Sequence, residues 1–344
     1  MISSAAPDTL VPLAGQATGG SPAKPPLPLE YLPVALFGSV MGLLGLSVAW
    51  RLAAVQYGVP DWLAGATTVA AVLAFVAVAG AYLVKLIAAP AAVIAEFRHP
   101  IAGNLFGTVL ISLLLLPIVI APVLLRLAQI MWLIGAAGML GFAWLMVDRW
   151  MGNRQQVDHA TPAWIVPVVG LLDVPLAVPV LAMPAAQALM VPCLAIGLFF
   201  AVPLFTLVFA RLVFQAPLPP ALQPSLLILV APFAVGFSTY VATTGSVDDF
   251  AEALYSLMLF MLTVLIGRLR RLALCCPFRV SWWAVSFPLA ASASASVRYA
   301  CARPGPVTDA VAWVLLTLAT LVIVWLAGRT LLGIGRGELR TLSS

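Results

Sequence analysis

Residues 62–88 read WLAGATTVAAVLAFVAVAGAYLVKLIA, an apolar run whose one charge, Lys85, stands near its end. A helix needs roughly 20 such residues to cross the hydrocarbon core of a bilayer, and this stretch is long enough. Outward from it the chain repeats the pattern. It can be cut at charges and turn clusters into ten apolar segments: 32–50, 62–88, 103–121, 124–148, 162–182, 186–213, 222–243, 249–274, 281–300 and 308–330. The cut between the fifth and sixth rests on the Met183-Pro184 turn alone.

Composition agrees with that reading. Hydrophobic residues make up 63% of the 344 and charged residues 8%, against about 25% charged in soluble domains. The 17 basic and 12 acidic residues fall almost entirely between the apolar runs, because a charge at bilayer centre costs at least about 2.5 kcal/mol. The net charge of +5 therefore belongs to loops, and a nucleic-acid partner is not expected. The bilayer is. The expected organisation is a disordered tail over 1–30, rich in Pro, Gly, Ala, Ser and Thr, a membrane domain over 31–330 and a short tail over 331–344.

Counting Lys and Arg on the two faces of the ten-span scheme leaves only Arg51, Arg126, Arg298 and Arg303 on one side, with the other thirteen opposite. The positive-inside rule then predicts both termini in the cytoplasm. Asp248, Asp249 and Glu252 open the eighth span, where a helix dipole favours carboxylates. Trp282 and Trp283 open the ninth at interfacial depth, and Lys85 is placed to extend its stem toward the headgroups. The four cysteines have no metal-site spacing; adjacent Cys275 and Cys276 stand where palmitoylation is conceivable, with plain packing the simpler reading.

Proline alternates along the chain. Pro33, Pro117, Pro167, Pro175, Pro179, Pro224, Pro232 and Pro288 fall within or at the ends of odd spans, whereas spans two, four, eight and ten have none inside. Span six, with Pro192 and Pro203, is the exception. Proline removes a helix hydrogen bond, and freed backbone is tolerated at membrane depth only against protein or a water-filled cavity. The expected fold is an all-α polytopic membrane protein: ten transmembrane helices as five helical hairpins, the odd-numbered kinked helices lining a central pore. Odd spans would run parallel with their positive dipole ends toward the cytoplasm, about half a charge each, a bias toward anions. Gly38, Gly42 and Gly45 of span one, and the run of Ala and Ser from Ala290 to Ser296 in span nine, allow close helix approach; Ser292 is a candidate lining hydroxyl. Asp173, deep in span five, is either a proton-coupling or gating group or a carboxyl that is protonated or hydrogen-bonded between helices next to Pro175. His99 and His159 fall in loops and are not read as ligands; no metal, cofactor or clustered catalytic set is expected.

The segment Ser281-Trp282-Trp283-Ala284-Val285-Ser286-Phe287-Pro288-Leu289 resembles the Trp-Trp-Ala-x-x-Phe-Pro motif of the tellurite-resistance/dicarboxylate transporter family, which includes plant guard-cell slow anion channels and bacterial tellurite-resistance protein A. Phe37-Gly38-Ser39-Val40-Met41-Gly42-Leu43, Glu96-Phe97-Arg98-His99-Pro100 and Ala231-Pro232 resemble further family segments. The resemblance implies a homotrimer with one pore per subunit, the bacterial inner membrane as location, and a pore gate at Phe287. The kink or pore-lining candidates are Gly38, Gly42, Pro117, Pro167, Pro175, Pro232, Pro288 and Ser292. The activity it implies is an anion channel or channel-like exporter for small inorganic or carboxylate anions, not an enzyme. The alternative is a proton-coupled carrier of C4-dicarboxylate, sulfite or tellurite-related oxyanions, with Asp173 in the coupling role.

Overall fold

The computed structural model describes residues 29–152, 154–269 and 277–343. Nearly all of the tail over 1–30, and Cys275 and Cys276, lie outside the described residues. Nine helices among them are long and apolar enough to cross a membrane. They are α1 (Val34–Tyr57), α2 (Trp62–Ala88), α3 (Ala102–Ile120), α4 (Leu125–Gly152), α5 (Pro162–Leu181), α6 (Pro184–Phe214), α7 (Pro220–Thr244), α8 (Asp249–Arg268) and, after one more helix, α10 (Pro306–Gly335). Between α8 and α10 the segment expected as span nine is helical over 280–302, a 3₁₀ turn Val280–Val285 followed by an α-helix Ser286–Ala302; we call it α9. Its serines make it less apolar than the rest. A short helix Pro90–Arg98 joins α2 to α3, and Leu339–Ser343 follows α10.

Burial separates the helices into two sets. Between 61% and 83% of the most apolar stretch is buried in α1, α3, α5 and α7, against 11% to 39% in α2, α4, α6, α8 and α10. In α9 every residue from Ser286 to Val297 is buried. The inner helices touch in a closed order, α1 on α3, α3 on α5, α5 on α7, α7 on α9 and α9 on α1, and each outer helix lies across two of them. Leu73, Val76 and Ile87 of α2, Phe199 and Val202 of α6 and Leu321 of α10 are each more than 60% exposed. An apolar surface that continuous is stable only against lipid, so the chain is an integral membrane protein. Helix α6 is an outer helix despite Pro203, so proline content alone does not mark the inner set.

The inner helices share a second feature. Each begins in 3₁₀ geometry, over Val34–Leu36, Ala102–Phe106, Pro162–Ile165, Pro220–Val230 and Val280–Val285, before turning α-helical; α5 returns to it over Gly170–Asp173. Runs beyond 3–4 residues are uncommon, and the eleven-residue run in α7 contains Pro220 and Pro224. Pro167, Pro175, Pro232 and Pro288 all sit in the first turn of an α segment that follows a 3₁₀ turn. There the missing N–H has least consequence. These prolines mark junctions between two helical pitches; Pro117, by contrast, lies inside the α segment Gly107–Ile120.

Two side chains differ from their expected placement at the membrane surface. Lys85 is 3% exposed: its Nζ donates to Glu96 Oε2 and to the Leu32 carbonyl, both at 2.7 Å. Glu96 also accepts the Val34 N–H at 2.7 Å and the Tyr82 hydroxyl at 3.0 Å. The pair thereby fixes the entry of α1 against α2. Trp283 is buried and donates Nε1 to Thr330 Oγ1 of α10 at 2.9 Å, an interhelical contact and not an interfacial anchor. Asp248 caps α8, accepting the Ala251 N–H at 3.0 Å and the Tyr240 hydroxyl at 2.6 Å.

Candidate functional site: two cavities separated by Phe287

The closed order of inner helices leaves a cavity of about 120 Å³. Each inner helix contributes to it: Gly38 and Met41 from α1, Thr108 and Ile111 from α3, Val169 and Asp173 from α5, Ile228 and Val235 from α7, Trp283, Phe287 and Pro288 from α9. A second cavity of about 30 Å³ is lined by Gly45 and Val48, Leu115 and Ile118, Leu176, Val235 and Ser238, and by Phe287, Ala291, Ser294 and Arg298. Its lining comes from the same five helices, further toward their carboxy-terminal ends. Phe287 and Val235 are the residues that line both, so these two side chains border each space. The neighbours of Phe287 explain how its ring fits: Gly45 leaves the ring edge uncovered, and a Cβ there would lie 3.5 Å from Phe287 Cδ2.

The other candidates divide. Gly38, Asp173 and Pro288 line the larger cavity. Gly42 brings α1 against α9, because a Cβ there would overlap Ser286 Oγ and Cβ. Pro117, Pro167, Pro175 and Pro232 are buried, shaping backbone without facing either space. The Ser292 hydroxyl donates to the Pro288 carbonyl at 2.7 Å within its own helix. Ser294, two residues on, lines the smaller cavity instead.

The larger cavity is apolar apart from a few oxygens. Among the described residues Thr161 Oγ1, Asp173 Oδ1 and Ser281 Oγ are buried without a hydrogen-bond partner, and all three residues line it. Asp173 ends the 3₁₀ segment of α5, and next to it the Leu172 carbonyl accepts the Thr239 hydroxyl from α7. The Glu96–Pro100 segment has a structural role beside this cavity. Phe97 meets Phe106 edge to face, ring centroids 5.0 Å apart, and His99 Nδ1 accepts the Ile101 and Ala102 N–H groups at 3.2 and 3.1 Å. The Pro100 carbonyl accepts Asn104 Nδ2 at 2.8 Å and Trp164 Nε1 at 3.2 Å. That set of bonds joins the start of α3 to α5.

Arg298, placed by the sequence near the end of the ninth span and counted there only for orientation, lines the smaller cavity. Its signal was present, because 287, 291, 294 and 298 follow the spacing of one helix face. The buried Lys85 had none, since its partner sits on the separate helix Pro90–Arg98.

An outer set of lipid-facing helices around an inner set that encloses interrupted cavities defines a helical membrane protein of the channel and transporter class. The chain belongs to the voltage-dependent anion channel family, SLAC1, whose pattern matches residues 31–331. It is 28% identical to the S-type anion channel SLAH3 of Arabidopsis thaliana over 89% of this chain and 49% of the plant protein. It is also 28% identical to the S-type anion channel SLAH2 of the same plant, over 88% and 59% of the two chains. An uncharacterized transporter of Methanocaldococcus jannaschii is 28% identical over 60% of this chain and 67% of its own. The chain spans about half the length of the plant relatives it matches.

Proposed function

We propose that this chain passes small anions across the membrane through the two cavities, and that Phe287 closes the path between them. The observation that carries the reading is that Phe287, together with Val235, borders both of two spaces that are each lined by all five inner helices. Apolar constrictions block ions by excluding water, and a narrow path without a tight charge cage favours anions that dehydrate easily. The names of the plant relatives support anions as the cargo. The unit is the membrane domain over 31–330, with both termini cytoplasmic, assembled as a homotrimer in a bacterial inner membrane.

The test is anion efflux from liposomes at equal amounts of folded protein. Phe287→Ala is expected to raise chloride and nitrate flux strongly, nitrate more. Phe205→Ala serves as control, because Phe205 stacks on Phe209 and meets Phe233 edge to face, away from both cavities. Equal or lower flux in folded Phe287→Ala protein removes the gate. Orientation is read separately: Gly245→Cys, in the α7–α8 turn, is expected to label from outside intact cells.

A second reading is favoured by Asp173, whose unpartnered Oδ1 belongs to a residue lining the larger cavity. In a proton-coupled carrier of C4-dicarboxylate, sulfite or a tellurite-related oxyanion, that carboxyl would take up and release the coupled proton. Asp173→Asn then abolishes the pH dependence of transport; unchanged pH dependence returns Asp173 to a structural role.

A further inference from the structure

Phe287, Ala291, Ser294 and Arg298 succeed one another on α9 at intervals of four, three and four residues, which keeps side chains on one face, and all four line the smaller cavity. Helical side chains lean toward the amino-terminal end of their helix, so the long Arg298 side chain reaches back along that face toward Phe287. Its Nε is buried without a hydrogen-bond partner, and among the described residues no acidic side chain forms an ion pair with it. The residue as a whole is half-buried, and a guanidinium nitrogen buried without a partner is costly. Arg51, near the carboxy-terminal end of α1, has the same unpartnered buried Nε, but its Nη2 donates to the Val119 carbonyl of α3 at 2.9 Å.

Hydroxyl groups complete the setting. Ser238 of α7 and Ser294 of α9 are 6% and 7% exposed and line the same cavity. Other serines of α9 are committed elsewhere, Ser292 to the Pro288 carbonyl and Ser296 to Tyr255. The geometry points to an anion-binding station on the far side of Phe287, in which the Arg298 guanidinium and the hydroxyls of Ser238 and Ser294 hold one small inorganic monovalent anion. A cavity of about 30 Å³ has room for roughly two water-sized bodies, which suits chloride or planar nitrate and excludes a C4-dicarboxylate. This station rests on the reading that the chain passes anions, and adds a place where the anion halts beside the ring.

The binding test uses the purified full chain in detergent, titrated with nitrate in place of gluconate at constant ionic strength, with the thermal midpoint as readout. Wild type is expected to show a saturable rise. Losing a charge-assisted contact shifts the half-saturating nitrate concentration upward roughly tenfold in Arg298→Gln, and by less in Ser294→Ala, while Arg298→Lys retains most of the response. An unchanged titration in folded Arg298→Gln protein overturns the station. Should that variant not fold, the Ser238→Ala/Ser294→Ala protein decides, and an unaltered titration there overturns it equally. Flux separates this inference from the conduction reading. In Phe287→Ala liposomes, a half-saturation for nitrate unmoved by adding Arg298→Gln rejects the station and leaves conduction standing. No flux in any variant, together with a nitrate response that Arg298→Gln abolishes, supports the station and rejects conduction.

Discussion

The Phe287 ring lies over the bare backbone of Gly45, where an added Cβ would stand 3.5 Å from ring atom Cδ2 but only 2.9 Å from Cβ of Ala290. The ring contact is ordinary; the alanine contact is not. Gly45→Ala is therefore expected to lower stability by about 1–3 kcal/mol through overpacking. Adding Ala290→Gly should recover most of the loss and adding Phe287→Ala little. Thermal midpoints of the three proteins decide, and equal rescue by Phe287→Ala would show that the ring sets the limit.

One turn earlier the approach is closer. A Cβ at Gly42 overlaps both Oγ and Cβ of Ser286, and Ser286 Oγ already donates to the Gly38 and Trp283 carbonyls at 3.1 and 2.7 Å. Gly42→Ala should cost more than Gly45→Ala. Because the overlap includes Cβ, Ser286→Ala is expected not to rescue it, whereas Ser286→Gly should. Rescue by Ser286→Ala would locate the conflict in the hydroxyl alone.

The Lys85–Glu96 pair predicts an asymmetric cycle. Removing one member of a buried pair costs about 3–5 kcal/mol, since the other is left charged and unpaired. Glu96→Gln should be worse than Lys85→Met, because Glu96 also accepts from Val34 N–H and Tyr82. The double variant should regain part of the loss. A double-mutant cycle on folded yield and thermal midpoint checks it; strict additivity would mean that the pair is not coupled.

Asp248 carries a pH dependence of defined sign. It lies in the turn before α8, and the hydroxyl of Tyr240, then the amide of Ala251, hold its carboxyl below its ordinary value of 3.8. A depressed carboxyl contributes stability above its unfolded pKa and loses it as pH falls through the lower, folded one. The destabilisation caused by Asp248→Ala should thus be constant near neutrality and shrink only below pH 3.8. A penalty that fades well above that pH would contradict the capping geometry.

Much of this architecture was legible in the chain. Apolar length and charge placement define helices in a membrane because both report the cost of burying polar groups in hydrocarbon, which depends on residue type and not on neighbours. The cut at Met183-Pro184 stands between α5 and α6, where Ala182 takes φ 49°. Alternation of proline separated most inner helices from outer ones, with α6 the case where proline misleads. Phe287 was singled out by its motif, and the structure brings it, with Val235, to the lining of both cavities.

What the sequence by itself determined is therefore the class of the protein, the order of its helices and the set that lies inside. Only the tertiary structure decided which way individual side chains turn. Lys85 meets Glu96, Trp283 meets Thr330, Ser292 bonds its own helix while Ser294 lines a cavity, and Arg298, used by charge counting only to orient the ninth span, lines that cavity too. Hydropathy is a property of a segment, whereas facing depends on the rotation of each helix and on partners far away in sequence, such as the 248 residues separating Gly38 from Ser286. The 3₁₀ entries belong to the same category: proline permits them, and they occur at the start of each inner helix but also of the outer helix α6, over Pro184–Leu189.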